Sequence, residues 1–115
     1  MKRLGEEIDR LAATIRERRN AAPDASYTAS LLAKGVEACA KKFGEEAVET
    51  ILAAAGRDKH ALAHEAGDAL YHLLVLLESA GVSTGDVAES LAKRAGVSGH
   101  AEKAARAQSI ESKKD

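Results

Sequence analysis

KHALAHEAGDALYHLLVLLESA, residues 59–80, is the stretch that decides the fold. Its first half places Leu62, Ala66, Ala69 and Leu73 at three- and four-residue spacing, the stripe of an amphipathic helix. From Leu70 onward, Leu70, Leu73, Leu74, Val75, Leu76 and Leu77 together cover every face, and a helix of that kind is buried on all sides. The apolar run from Ala69 to Leu77 is far below the roughly 20 residues of a membrane span. Gly56, Arg57 and Asp58 make the turn before this helix, and Gly81 closes it. A chain of 115 residues has few other elements with which to cover such a helix. A symmetric second copy supplies the missing surface, so a homodimer is expected.

Outward from that element, every neighbouring segment also reads as helix. Leu4, Ile8, Leu11 and Ile15 form a first amphipathic helix that ends before Asn20 to Pro23. Asp24 or Ser26 then caps a short helix carrying Tyr27, Leu31 and Leu32, which Gly35 terminates in a left-handed cap conformation. A third helix begins near Val36, with Phe43, Ala47, Val48, Ile51 and Leu52 as its apolar stripe. Ser83 or Thr84 caps a fifth helix through Val87 and Leu91, ended by Gly96. Alanine and leucine dominate, and proline occurs only at position 23. The fold class is therefore all-α, a compact bundle of about four to five helices, with one domain over residues 1–108 and a disordered tail over 109–115.

Net charge is −1, which argues against the broad positive field that drives nucleic-acid binding. No charged-then-apolar leader opens the sequence, so a cytoplasmic location with no membrane association is expected. The single cysteine, Cys39, falls in a helical pattern with no base beside it and reads as a small packed thiol.

The chemistry sits in two clusters, Lys41-Lys42-Phe43-Gly44-Glu45-Glu46-Ala47-Val48-Glu49 and His64-Glu65-Ala66-Gly67-Asp68. At about 100° per residue, Glu46 and Glu49 share one face of the third helix, and Glu65 with Asp68 repeats the relation on the fourth. Both pairs lie beside apolar stripes, so they border the core. Like charges so spaced cost a helix roughly 0.2 to 0.5 kcal/mol each, and no Lys or Arg lies within a turn of both Glu65 and Asp68. Hard oxygen donors of this kind suit magnesium or manganese. Gly67 costs the helix about 1 kcal/mol against alanine, and close packing there would bring the two pairs together. Two alternatives stand beside this reading. The carboxylates can simply solvate helix faces, as acidic residues commonly do. His60, His64, Asp68 and His72 recur every four residues and offer nitrogen to zinc, though the ladder is too long for one ion to use more than two adjacent members.

The paired motifs Glu45-Glu46-x-x-Glu49 and Glu65-x-x-Asp68 resemble the signature of the MazG-type all-α nucleoside triphosphate pyrophosphohydrolases. Further blocks resemble one family within that group, the phosphoribosyl-ATP pyrophosphohydrolases. They are Ser26-Tyr27-Thr28-Ala29, Lys34-Gly35, Lys42-x-Gly44-Glu45-Glu46, Asp68-x-x-Tyr71-His72 with the leucine-rich run behind it, and Arg94-x-Gly96-x-Ser98-Gly99-x-x-Glu102-Lys103-Ala104. Val36 and Gly67 stand where relatives would often carry proline and alanine.

That resemblance implies cleavage of phosphoribosyl-ATP by water to phosphoribosyl-AMP and pyrophosphate, the second step of histidine biosynthesis, with magnesium required. It implies Glu46, Glu49, Glu65 and Asp68 as metal ligands, with Glu45 or Glu46 acting on the attacking water. Lys34, Lys42, Arg94 and Lys103 become candidates to hold phosphates, and Tyr27 and His72 to meet base or ribose. In some organisms the family's enzyme is fused to a zinc-dependent cyclohydrolase; no such domain fits into this chain, which is expected to stand alone. A general nucleotide hydrolase would keep the same carboxylates, and a non-catalytic helical module docking a basic partner would need no metal.

Overall fold

The computed structural model describes residues 1–96. Five helices and no strand occur among them: α1 Leu4–Arg18, α2 Tyr27–Lys34, α3 Val36–Ala55, α4 Lys59–Ala80 and α5 Thr84–Ala95. Met1–Thr84 form one compact unit that contains α1 to α4; α5 belongs to a second unit that begins at Gly85. The all-α expectation holds. The expected domain limit at residue 108 and the tail over 109–115 lie outside the described residues.

Each helix boundary in the first unit has a local cause. Glu6 and Glu7 open α1 and Arg16 and Arg18 close it, matching charge to the helix dipole at both ends. Ser26, not Asp24, caps α2: its hydroxyl accepts the Ala29 amide at 3.0 Å. The Asp58 carboxylate does the same for Ala61 at the start of α4, also at 3.0 Å. At the other end of α4, Gly81 adopts φ 75°, ψ 24°, and two bonds close the helix, Gly81 N–H to Glu78 O at 3.2 Å and Val82 N–H to Leu77 O at 2.9 Å.

Gly35 departs from the expected left-handed cap. Its φ is 94° but its ψ is 177°, an extended mirror conformation open essentially to glycine alone. The reason is that α2 stops and α3 starts on this one residue. Its N–H ends the first helix on Leu32 O, and its carbonyl accepts the Cys39 amide of the second. In the α3–α4 turn the positive φ falls on Arg57 (56°), while Gly56 stays in the right-handed region.

The core is drawn from all four helices of the first unit: Ile15 from α1, Leu31 from α2, Cys39 from α3, and Leu74 and Val75 from α4. Ile8, Leu11, Leu32, Tyr71, Leu76 and Leu77 pack around it. Cys39 is the packed thiol that its pattern implies, its S–H directed at the Leu31 carbonyl at 3.3 Å. Burial is incomplete on α4, as the sequence implies for one copy alone, and one expectation, on α3, needs correction. Only His72, Leu74 and Val75 of α4 are fully buried, and Leu70, Leu73, Leu76 and Leu77 are half-buried, because three partner helices cannot enclose a helix that is apolar all round. On α3, Val48, Ile51 and Leu52 are exposed rather than part of the core, lying on a face that α4 does not reach.

Candidate metal and phosphate site

Helices α3 and α4 make the closest pairing in the first unit, and the three-residue turn between them makes them antiparallel neighbours. Their register is pinned by Thr50. Its Oγ1 lies 2.9 Å from the Glu46 carbonyl oxygen one turn back on α3 and 3.1 Å from the Glu65 carbonyl oxygen on α4. Because both helices rise equally per residue, Glu46 is then level with Ala69, beside Asp68, and Glu49 is level with Ala66, beside Glu65. The two carboxylate pairs therefore occupy matching heights along the helix pair.

Their surroundings differ. The Glu46 side chain is only 16% exposed, whereas neighbouring Glu45 is 52% exposed. Lys42 reaches both, with Nζ at 3.4 Å from Glu45 Oε2 and 3.7 Å from Glu46 Oε1. The nearby Tyr27 phenol, and then the hydrogen bond to Glu45, hold the Lys42 ammonium above its ordinary value. Glu49 is exposed and Glu65 half-buried, and among the described residues neither has a cation within ion-pair distance.

On α4, one ligand atom each from His64, Glu65 and Asp68 falls within a 4.8 Å cluster, and His64 Nε2 is 3.4 Å from Asp68 Oδ2. The sequence placed His64 in a rival ladder; the structure instead joins its one usable step, His64 to Asp68, to the carboxylate pair. Glu46 and Glu49 do not enter that 4.8 Å cluster. Gly67 also reads differently now. A Cβ built on it meets nothing within 4 Å, so the expected close packing at Gly67 is absent among the described residues.

His72 lies between the two helices' charges. It is 5% exposed, with ring centroids 4.8 Å from Tyr71 and 6.1 Å from Tyr27, both edge-on. Burial pushes its pKa below 6.5; Glu46, Asp68 and Glu45 oppose that shift and Lys42 adds to it. One imidazole thus feels carboxylates of both clusters. Ring packing holds it, and the neighbouring Tyr71 hydroxyl is paired with Thr28 of α2. Burial raises the Tyr71 phenol's pKa despite that hydrogen bond.

Lys34 and Lys42 open onto a cleft of about 280 Å³ that Tyr27, Leu31, Lys41 and Glu45 also line. A second depression of about 320 Å³, around Arg19, Leu32 and Ser79, contains no carboxylate in its wall, and its Arg19 is already held by Glu78 at 3.0 Å. Arg94 lies in the last turn of α5, in the second unit, and Lys103 lies outside the described residues. Thr50 and the cleft-lining Lys41 are the additions of the structure, while His64 moves from the rival ladder to the carboxylate pair. Only Thr50 had a usable signal, standing one turn beyond Glu46 on the carboxylate-bearing helix.

The family model described as phosphoribosyl-ATP pyrophosphohydrolase matches residues 8–95, nearly all of the described chain. The chain belongs to that family. Among its relatives are proteins named phosphoribosyl-ATP pyrophosphatase from three bacteria. That of Rhodobacter capsulatus is 56% identical over 99 residues, covering 86% of this chain and 96% of its own length. The Dinoroseobacter shibae protein is 55% identical over 99 residues, with 86% and 97% covered. The Ruegeria pomeroyi protein is 56% identical over 96 residues, with 84% and 91% covered. The carboxylates of α3 and α4 are hard oxygen donors with no thiolate among them, since the one cysteine is in the core.

Proposed function

We propose that the chain is a phosphoribosyl-ATP pyrophosphohydrolase, cleaving phosphoribosyl-ATP with water to phosphoribosyl-AMP and pyrophosphate in the second step of histidine biosynthesis. The observation that carries this reading is the pair of carboxylate clusters held at matching heights by Thr50, in a chain more than half identical to proteins bearing that name. Glu46, Glu49, Glu65 and Asp68 would hold magnesium, or manganese in its place. The donors are hard oxygens that suit such an ion: Glu65 and Asp68 bring oxygens into one 4.8 Å cluster, and among the described residues neither Glu49 nor Glu65 has a cation within ion-pair distance. When bound, the ion supplies positive charge to the phosphoanhydride oxygens.

The protein's own groups do the rest. Glu45 or Glu46 accepts the proton of the attacking water as its oxygen bonds to phosphorus and the phosphoanhydride bond breaks. Lys42, between those two carboxylates, is placed to hold a phosphate oxygen or to orient whichever carboxylate is not the base. His72, kept neutral by burial, presents ring edge and nitrogen to the base or ribose without adding charge. Lys34, Arg94 and Lys103 remain candidates for further phosphate contacts.

A second copy of the chain, seated on the exposed Val48, Ile51 and Leu52 of α3 and the half-buried leucines of α4, completes the reading as a homodimer. No helix among the described residues is long and apolar enough to cross a membrane. A cytoplasmic setting, where phosphorylated nucleotides are made and used, goes with the proposed substrate.

The test is pyrophosphate release from phosphoribosyl-ATP, with magnesium, with chelator, and with ATP in its place. Magnesium-dependent release from phosphoribosyl-ATP alone is expected. Equal release from ATP would favour a general nucleotide hydrolase, and no release from either would sink the reading.

A further inference from the structure

The cleft between α2 and α3 holds more positive charge than the cleavage roles given to Lys42 and Glu45 use. Three lysines line its roughly 280 Å³, against one carboxylate, and that carboxylate, Glu45, is already paired with Lys42. Lys34 and Lys41 are exposed, and among the described residues neither has a carboxylate within 4 Å. Two uncompensated ammonium groups on the walls of a concave site suit a dianion better than a single charge.

The position of the cleft narrows the choice of anion. Along α3, Lys41 is about 7 Å from the level of Glu46 and about 12 Å from that of Glu49. Tyr27 lines the cleft beside the lysines, and His72, buried and edge-on to Tyr27, lies within the field of Glu46 and Asp68. An aromatic pair thus adjoins both the lysines and the inner carboxylates, while Glu45 lines the cleft itself. A molecule with phosphate at both ends and a purine between two riboses offers a counterpart to each. The triphosphate needs the metal-binding carboxylates, which leaves the opposite end for the lysines.

We propose that Lys34 and Lys41, in the cleft beside Tyr27, bind the terminal 5′-phosphate monoester of the substrate's added phosphoribosyl group. This rests on the function proposed above and deepens it. The cleft is then the specificity determinant, because ATP shares the triphosphate, ribose and purine but has nothing to place between these two lysines. Its volume suits a phosphoribosyl group rather than a whole dinucleotide-sized ligand.

The test is the double variant Lys34→Gln with Lys41→Gln, both at exposed helical positions. KM for phosphoribosyl-ATP and the inhibition constant of ATP in the same assay are measured for variant and wild type. Two charge-assisted contacts predict a loss of about tenfold or more, falling on KM for phosphoribosyl-ATP, with the ATP constant unmoved. Parallel weakening of ATP would overturn the assignment by placing the lysines on the triphosphate. No change in either constant would make them ordinary surface charges. If the wild type itself fails to cleave phosphoribosyl-ATP, the proposed function falls, and calorimetric titration with ribose 5-phosphate still decides the cleft. Binding that the double variant lacks supports it, and no binding to wild type overturns it.

Discussion

Replacing Asp68 by asparagine should move stability in opposite directions with and without metal. Without metal the wild type holds Glu65 and Asp68 three residues apart on α4, with carboxylate oxygens inside one 4.8 Å cluster. Asp68→Asn removes that repulsion, a gain of roughly 0.2 to 0.5 kcal/mol. It also removes the His64 partner at 3.4 Å, but that exposed pair contributes little. The metal-free variant should therefore melt at or slightly above the wild type. With magnesium at about a hundred times its dissociation constant, binding to the folded state alone stabilises the wild type by about 2.7 kcal/mol. For a domain of this size that is on the order of 10 °C in Tm. The variant keeps a neutral oxygen at that position but loses a charge, and most of the shift should vanish. The assay is a pair of thermal melts at pH 8, in chelator and in saturating magnesium chloride, at one protein concentration. A wild type indifferent to magnesium, or a variant whose magnesium shift equals that of the wild type, would refute the placement of the metal.

Three further outcomes are expected. Gly67→Ala should stabilise the protein by about 0.5 to 1 kcal/mol, since the new methyl meets nothing within 4 Å and a glycine is removed from a helix interior; a drop in the denaturation midpoint would mean that a second copy approaches α4 there. Thr50→Val should cost about 1 kcal/mol and slow pyrophosphate release, because the hydroxyl that joins the Glu46 and Glu65 backbones is lost; unchanged rate and midpoint together would contradict its registering role. Burial holds the His72 pKa below 6.5, so the unfolded chain takes up a proton more readily, and the associated stability is present above pH 6.5 and lost as pH falls through the lower folded value. His72→Gln should accordingly flatten that part of the stability–pH curve, and an identical slope in both proteins would exclude His72 as its source.

The helices were legible in the sequence because their ends are local events. The 59–80 stretch folds as one helix with those limits, since Asp58 can cap it and Gly81 can close it without help from elsewhere. The carboxylate pairs were legible for the same reason, i, i+3 spacing being a property of one helix. What covers a face is not local. Periodicity put Val48, Ile51 and Leu52 on a stripe but could not say that α4 packs elsewhere, leaving all three exposed. Gly67 suggested a close neighbour, and the structure leaves open space, because a glycine's cost is visible in sequence while its reason is not. The phase between helices escaped too: Glu46 is only 16% exposed and within the field of His72, while Glu49 stays exposed.

The buried thiol gives the fold a reporter of its own opening. Cys39 is the single cysteine, 1% exposed, with its hydrogen directed at a carbonyl of the neighbouring helix. A thiol reagent needs the thiolate and a path to it, so it can react only when α2 and α3 part. Its labelling rate under native conditions therefore counts transient separations that no equilibrium melt resolves. The same enclosure protects the protein from oxidative cross-linking: any covalent dimer on a non-reducing gel records molecules that had already come apart.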